Sequence, residues 1–232
     1  MITFNGIDLA GVAPVMIEDI RVSPIELQPM ARQRPIHFGA DYVRMGGGSR
    51  TVAITFALLT MNRDERANQL MSITKWARSA EPAPLTISTY HEKYLPCVCT
   101  SLPEPSTRQW WEAKLRLVFT AYDPYWVSTG ENSVACGTQF SVVGDAPPLM
   151  QIRRTLTSAA TNQTYSSGSE SMTFSNIPAG NLVIDLNKQT AAVGNTSIMQ
   201  YFPLTGSKFL IPKTGVQTIT GTGTVYWRAR WN

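Results

Sequence analysis

Apolar and polar residues alternate with a period of two along much of the chain. In residues 50–59, RTVAITFALL, Val52, Ile54, Phe56 and Leu58 alternate with Thr51, Ala53, Thr55 and Ala57. In residues 111–122, WEAKLRLVFTAY, Trp111, Ala113, Leu115, Leu117 and Phe119 alternate with Glu112, Lys114 and Arg116. Side chains of a strand point to opposite faces in turn, so each segment predicts a half-buried strand with one clean inner face. MIEDIRV (16–22) and PLTISTY (84–90) are weaker members of the same set.

One segment of the first half departs from this period. NRDERANQLMSITKWARSAEP (62–82) sets Ala67, Leu70, Met71, Thr74 and Ala77 at helical spacing. Asn62 followed by Glu65 resembles a capping box; Asp64 and Glu65 fill the first turn, and Lys75 and Arg78 the last. Pro82 and Pro84 end it. The reading is one amphipathic helix over about 63–79, lying across the sheet of the first domain with that apolar stripe inward.

From about residue 130 the texture changes. STGENSVACGT and GDAPP are turn-rich, and Thr, Ser, Gly and Asn rise. Short apolar segments follow at roughly ten-residue spacing: TQFSVV, MQIRRTL, SMTFSNI, NLVIDL, TAAVG, SKFLIP, GVQTIT and TVYWRARW. With no helical segment among them, they predict a β-sandwich of the jelly-roll kind. In the last, Val225, Trp227, Ala229 and Trp231 alternate with Tyr226, Arg228 and Arg230, tying the C-terminus into a sheet.

The border falls at FTAYDPYWV (119–127). Phe119 completes an inner strand face, and the Asp123–Pro124 step favours an extended residue and then a turn. The predicted domains are 1–128 and 129–232. Asp123, Pro124, Tyr125 and Trp126 read as an interdomain seam, with Tyr125 and Trp126 as packing between the two domains.

Composition narrows the function classes. The net charge is +4 over 232 residues. Up to Val127 there are thirteen basic against twelve acidic residues, and after it seven against four. Neither half holds a basic run of the kind that builds a nucleic-acid groove, so sequence-specific nucleic-acid binding is not expected. No apolar run reaches the ~18 to 20 residues of a membrane span. Met1 leads directly into ITFNGIDL without a signal-like segment, so synthesis in the cytoplasm and no membrane insertion are expected. Three cysteines do not make a disulfide framework, and C-V-C at 97–99 suits neither a relaxed disulfide nor a zinc knuckle. They read as passive thiols.

Candidate chemistry thins out residue by residue. His37 and His91 lie in no metal-binding motif, and His91 reads as a hairpin-loop residue. GGGSR (46–50) lacks the Lys-Ser/Thr ending of a phosphate loop and precedes a strand, so no helix N-terminus would face a phosphate. Asp123, Asp145 and Asp185 give no sign of converging as a glycosidase pair, and no nucleophile elbow appears. No catalytic residue, metal ligand or cofactor-binding residue is assigned. Tyr165, Tyr201, Phe202, Tyr226 and Trp227 could offer faces to a sugar or fill a sandwich core, so carbohydrate binding stays open.

The order of FNGIDL, GSRTVAITFALL, a single helix, YLPCVC and WWEAKLRLVFTAYDPYWV resembles the N-terminal domain of siphophage distal tail proteins. NLVIDLNKQTAAVGN, SKFLIPKTGVQTIT and a basic-aromatic last strand resemble the second domain of that family, and the likeness spans most of the chain. It implies a mainly β protein: an N-terminal β-sandwich or split barrel with one helix, then a galectin-like jelly-roll sandwich. It also implies a non-enzymatic virion component at the tail tip, closing a hexameric homo-oligomeric ring through which DNA passes. Its implied partners are the tail tube protein, a tail hub or tail-associated protein, and receptor-binding proteins. A tail tube protein and a free-standing carbohydrate-binding sandwich are the alternatives. Residues 29–50, PMARQRPIHFGADYVRMGGGSR, interrupt apolar residues with Arg and Gly and keep no clean period. They are the expected assembly segment, an extended flap or hairpin clasping the neighbouring subunit, with Arg32, Arg34, Phe38, Tyr42, Arg44, Gly46, Gly47 and Gly48 as its candidate residues.

Overall fold

The computed structural model describes residues 1–26, 28–33, 40–46, 48–60, 62–102, 114–203 and 207–232, with 28–33 and 40–46 as backbone. The chain forms two compact units, Met1–Trp126 and Val127–Asn232. That division lies two residues before the one read from the sequence.

Unit 1 comprises β1 (Ile2–Phe4), β2 (Ile7–Asp8), α1 (Leu9–Val12), β3 (Val15–Val22), β4 (Gln28–Gln33), β5 (Ala40–Gly46), β6 (Arg50–Leu58), α2 (Arg63–Ala77), β7 (Ala83–Ile87), β8 (Lys93–Ser101) and β9 (Lys114–Ala121). β10 (Trp126–Ser128) crosses the unit border. Neighbours run antiparallel in the order β2-β1-β7-β8-β9-β6-β3. β8 serves two partners in succession. Leu95–Cys97 pair with β7, and from Val98 onward the strand pairs with β9. The strand thereby joins two half-sheets, the arrangement of a split barrel.

The alternation read from the sequence sets the register. Val52, Ile54 and Phe56 of β6 lie opposite Phe119, Leu117 and Leu115 of β9, and all six are buried. Such cross-strand pairs are the main unit of sheet stability. Trp111 and Ala113, assigned to the same inner face, lie outside the described residues. α2 closes the layer through Trp76, whose ring centroid lies 5.8 Å from that of Phe4 and 6.1 Å from that of Phe119. Its indole Nε1 donates to the Ile7 carbonyl at 2.9 Å.

Two details of the helical reading change. α1 adds a short helical turn, capped by Asp8, whose carboxylate accepts from Ala10 N at 3.3 Å. In α2, Asn62 caps as expected, accepting from Asp64 N at 3.0 Å, but the buried stripe is Arg66, Gln69, Ile73, Trp76 and Ala77. Of the stripe read from the sequence only Ala77 is buried; Met71 is 63% exposed. The two stripes have the same period. The true one begins with two polar residues, so hydropathy favours its neighbour.

Unit 2 comprises β11 (Asn132–Ala135), β12 (Gln139–Val142), β13 (Ala146–Leu156), β14 (Gln163–Ser167), β15 (Glu170–Phe174), β16 (Gly180–Asp185), β17 (Thr190–Val193), β18 (Thr196–Ser197), β19 (Gly215–Thr218) and β20 (Thr224–Trp231), with a 3-10 turn at Met199–Tyr201. One sheet runs β18-β17-β16-β13-β20, with β11 on the far side of β20. The ribbons β12–β19 and β14–β15 form separate pairs. A single core joins all three: Phe140, Met150, Ile152, Tyr165, Phe174, Ile184 and Trp227 belong to one buried cluster. Two β layers around one apolar core make a sandwich.

SKFLIP, expected as a strand, is not one; residues 207–213 run irregularly beside β15. Side chains tether it. Ser207 Oγ accepts from Thr173 N at 2.9 Å, and Glu170 accepts from Ile211 N at 3.2 Å and Lys213 Nζ at 3.1 Å. Pro212 has no N–H to offer a ladder. β11 and β14 have no counterpart in the sequence reading because they are mostly polar.

Candidate assembly site

β4 and β5 build an antiparallel ribbon with Arg32 opposite Asp41, Ala31 opposite Tyr42, Met30 opposite Arg44 and Gln28 opposite Gly46. A register shift separates Met30 from Ala31. Among the described strands this ribbon pairs only with itself. Within the segment 29–50, expected as an extended flap or hairpin, the described residues thus hold a paired ribbon. Arg32, Tyr42, Arg44 and Gly46 lie on its two strands, whereas Arg34, Phe38 and Gly47 lie outside the described residues.

The root of the ribbon is the pair β3 and β6, which the chain leaves and re-enters. Ser23 N donates to Thr51 O at 2.8 Å, Thr51 N to Ser23 Oγ at 2.8 Å, and Glu26 N to Ser49 O at 3.0 Å. Gly48 is buried there. A Cβ at this position would lie 1.4 Å from the Glu26 carbonyl oxygen. Only a residue without a side chain lets the two backbones pass so closely.

At the border stretch, Tyr122 is 70% exposed whereas Trp126 is 2% exposed. Pro124 is buried, and Asp123 and Tyr125 are half-buried. Trp126 stacks on Tyr90 of the β7–β8 turn, with centroids 4.2 Å apart and planes inclined by 16°. An aromatic partner of Trp126 thus lies inside unit 1. His91 sits in that same turn, as expected from the sequence.

Two of the carboxylates considered for catalysis, Asp185 and Asp145, accept from backbone N–H groups. Asp185 Oδ1 accepts from the backbone N–H of Asn187 and Lys188 at 3.1 and 2.9 Å, shaping the β16–β17 turn. Asp145 Oδ1 accepts from Asn232 N at 2.7 Å. Among the described residues no group of three or more His, Cys, Asp or Glu could hold a metal ion, and no helix is long and apolar enough to cross a membrane. Burial pushes the Cys97 thiol up to about 12, with Cys99 beside it acting in the same direction.

The aromatics considered for sugar binding divide. Tyr165 and Trp227 are core, the latter packed on Phe140 at 4.6 Å, and Phe202 packs on Phe174 at 5.2 Å and Phe209 at 4.8 Å. Tyr226 instead lies half-buried, with the guanidinium of Arg153 4.2 Å above its ring centroid. Arg153 also holds Glu131. This cluster escaped the sequence reading; its one trace is the polar alternation Gln151, Arg153, Thr155 along MQIRRTL.

No protein-family model matches the chain, and no curated protein matches it by sequence. Solved structures do match. The SPP1 Dit protein, described as a paradigm of hub adsorption apparatus in phages infecting Gram-positive hosts, aligns with a TM-score of 0.76 at 13% identity. That alignment covers 100% of this chain and 98% of that one. Chains of the phage P2 baseplate in its activated conformation align more distantly. The calcium form gives a TM-score of 0.48 at 8% identity, covering 96% of this chain and 92% of that one. The strontium form gives 0.46 at 7%, covering 94% and 91%. From the first strand to the last, the chain has the fold of SPP1 Dit.

Proposed function

We propose that this protein is a structural component of a phage tail tip, closing a ring of six copies that joins the tail tube to the tail hub and its receptor-binding apparatus. The observation that carries the reading is end-to-end correspondence with SPP1 Dit, 100% of one chain against 98% of the other. Neither unit is left over, so the likeness does not rest on a β-sandwich alone.

The hairpin supplies the physical argument for assembly. A two-stranded ribbon is marginal by itself in water, and this one pairs with no other described strand. A surface on a second copy would give the ribbon a partner beyond itself. Head-to-tail contact between the ribbon of one subunit and a different face of the next generates a closed ring when the rotation closes. The near-neutral first half suits a channel that passes DNA, since a basic wall would retain phosphates. Tail tube, hub and receptor-binding proteins are the proposed partners, the virion tail tip is the proposed location, and the role requires no catalysis.

Light scattering on the full chain, beside a variant lacking residues 32–48, tests the clasp. The parent is expected at about six times the 25.6 kDa chain mass, alone or on addition of the hub protein, and the deletion at the mass of one chain. A deletion variant that assembles as well as the parent overturns the clasp.

A further inference from the structure

The face of the unit 2 sheet turned away from its apolar core carries an open cavity of about 390 Å3. Arg153, Thr155, Asn181, Val183, Gly223 and Tyr226 are among the residues that line it. The volume falls among small-ligand sites, about 300–1,000 Å3. Gly223 has φ +117, and a Cβ there would come within 2.8 Å of the Arg153 carbonyl oxygen. The strand start can therefore lie against β13 only with glycine at that point.

The polar groups are fixed before any ligand arrives. Arg153 Nη1 and Nη2 donate to Glu131 Oε2 and Oε1 at 3.0 and 2.9 Å, a bidentate pair. Its Nε and Nη2 donate to Gln151 Oε1 at 3.1 and 2.9 Å. Gln151 Nε2 donates onward to Asp185 Oδ2 at 3.0 Å. Thr155 Oγ1 donates to Asn181 Oδ1 at 3.0 Å. The guanidinium carbon sits over the Tyr226 ring, 4.2 Å from its centroid. Both ionic groups keep solvent access, with the Arg153 and Glu131 side chains 38% and 30% exposed. Groups held this way lose little freedom on binding.

The state of these groups selects the ligand class. The guanidinium edge already holds a carboxylate, so the usual seat for a second anion is taken. A phosphate, which only accepts, would meet Glu131. A hydrocarbon could pack on Val183 but would cover the donors and acceptors that Asn181, Thr155 and Thr224 have left over without satisfying them. What the cavity and its margin still offer is mixed: the remaining carboxylate lone pairs of Glu131, which sits beside Arg153 outside the lining, amide donors on Asn181, hydroxyls on Thr155 and Thr224, and the planar guanidinium of Arg153. A hydroxyl both donates and accepts, and a pyranose carries several around one compact ring that also presents a face of C–H bonds. We propose that this face binds a neutral saccharide, its ring on the Arg153 guanidinium and its hydroxyls on Glu131, Asn181 and Thr155. The site lies within one chain, so the proposal goes beyond the ring and does not depend on it.

The test is a titration of isotope-labelled full-length protein with galactose, glucose, N-acetylglucosamine and rhamnose in turn, each to tens of millimolar, followed by amide chemical shifts. Glycerol 3-phosphate serves as the anionic probe. At least one neutral sugar is expected to move the resonances of residues 151–155, 181–183 and 224–226. The midpoint should be insensitive to salt, because screening weakens only charge-driven binding. Thr155→Val and Asn181→Ala replace exposed side chains, and each is expected to weaken that sugar at least tenfold while leaving the other resonances in place. Retained binding in both variants overturns the proposal. So do shifts located elsewhere, a response to glycerol 3-phosphate alone, or no response to any of the four sugars.

Discussion

Trp126 lies flat on Tyr90, ring centroids 4.2 Å apart and planes 16° from parallel. The last aromatic of the border stretch is thus held by a loop of the unit it ends. Offset stacking is worth about 0.5–1.5 kcal/mol beyond burial, and truncating a buried Trp costs about 3–5 kcal/mol. Urea unfolding of Trp126→Ala, Tyr90→Ala and the double variant is expected to give a large loss for Trp126 and a coupling in the stacking range. Additive losses would mean that the stack contributes nothing of its own. The proposed reading of the stretch as a seam predicts in addition that Tyr125→Ala with Trp126→Ala admits a protease cut within residues 124–135; resistance equal to the parent's would contradict that reading.

Gly48 and Glu26 make the root of the hairpin intolerant of a side chain. With the added Cβ 1.4 Å from a backbone oxygen, Gly48→Ala must push the strands apart. Overpacking costs about 1–3 kcal/mol, and here the strain falls on the ribbon. The variant should show faster amide exchange and new proteolysis within residues 26–50, with the strand pairs of unit 2 unaffected. Unchanged exchange across the root would contradict the described crossing.

The two stripes of α2 differ in what substitution does. Ile73 is fully buried, so Ile73→Ala should cost about 2–5 kcal/mol. Met71→Gln, on the stripe that hydropathy favours, should change stability by no more than about 0.5 kcal/mol. Equal losses at the two positions would reverse the orientation of the helix.

Cys97 should be inert. A thiol pushed up to about 12 by burial stays protonated in the fold at pH 8, and the thiolate is the reactive form. A thiol reagent at that pH should spare Cys97 in the native protein and modify it in guanidinium. The linkage has a defined sign. Between the ordinary thiol value of 9.0 and about 12, the unfolded chain binds fewer protons at Cys97 than the folded one does. Its contribution to stability is therefore constant below pH 9 and lost as pH rises through that window. Modification of native Cys97 at pH 8 would contradict the described burial.

The strands were legible where one face is core and the other is not. Val52, Ile54 and Phe56 alternate with Thr and Ala, and the structure pairs them with the inner face of β9. The helix was legible in position and cap, but its face was not, because Arg66 and Gln69 open the buried stripe. β14 hid because only Tyr165 of QTYSS is fully buried. The hairpin showed in the sequence as a stretch without period. The Arg153 cluster left only the alternation Gln151, Arg153, Thr155 as a trace. Its partners lie 22 residues away at Glu131 and, through Gln151, another 34 residues along at Asp185. Only strand pairing brings them to one face.

The proposed tail-tip role requires a closed ring with an open channel. Negative-stain electron microscopy of the purified protein, alone and mixed with its hub protein, tests it most directly. Discrete rings of six subunits around a central hole are predicted in at least one of the two samples. Single particles of one chain in both, or rings that stack without limit into tubes, would contradict it.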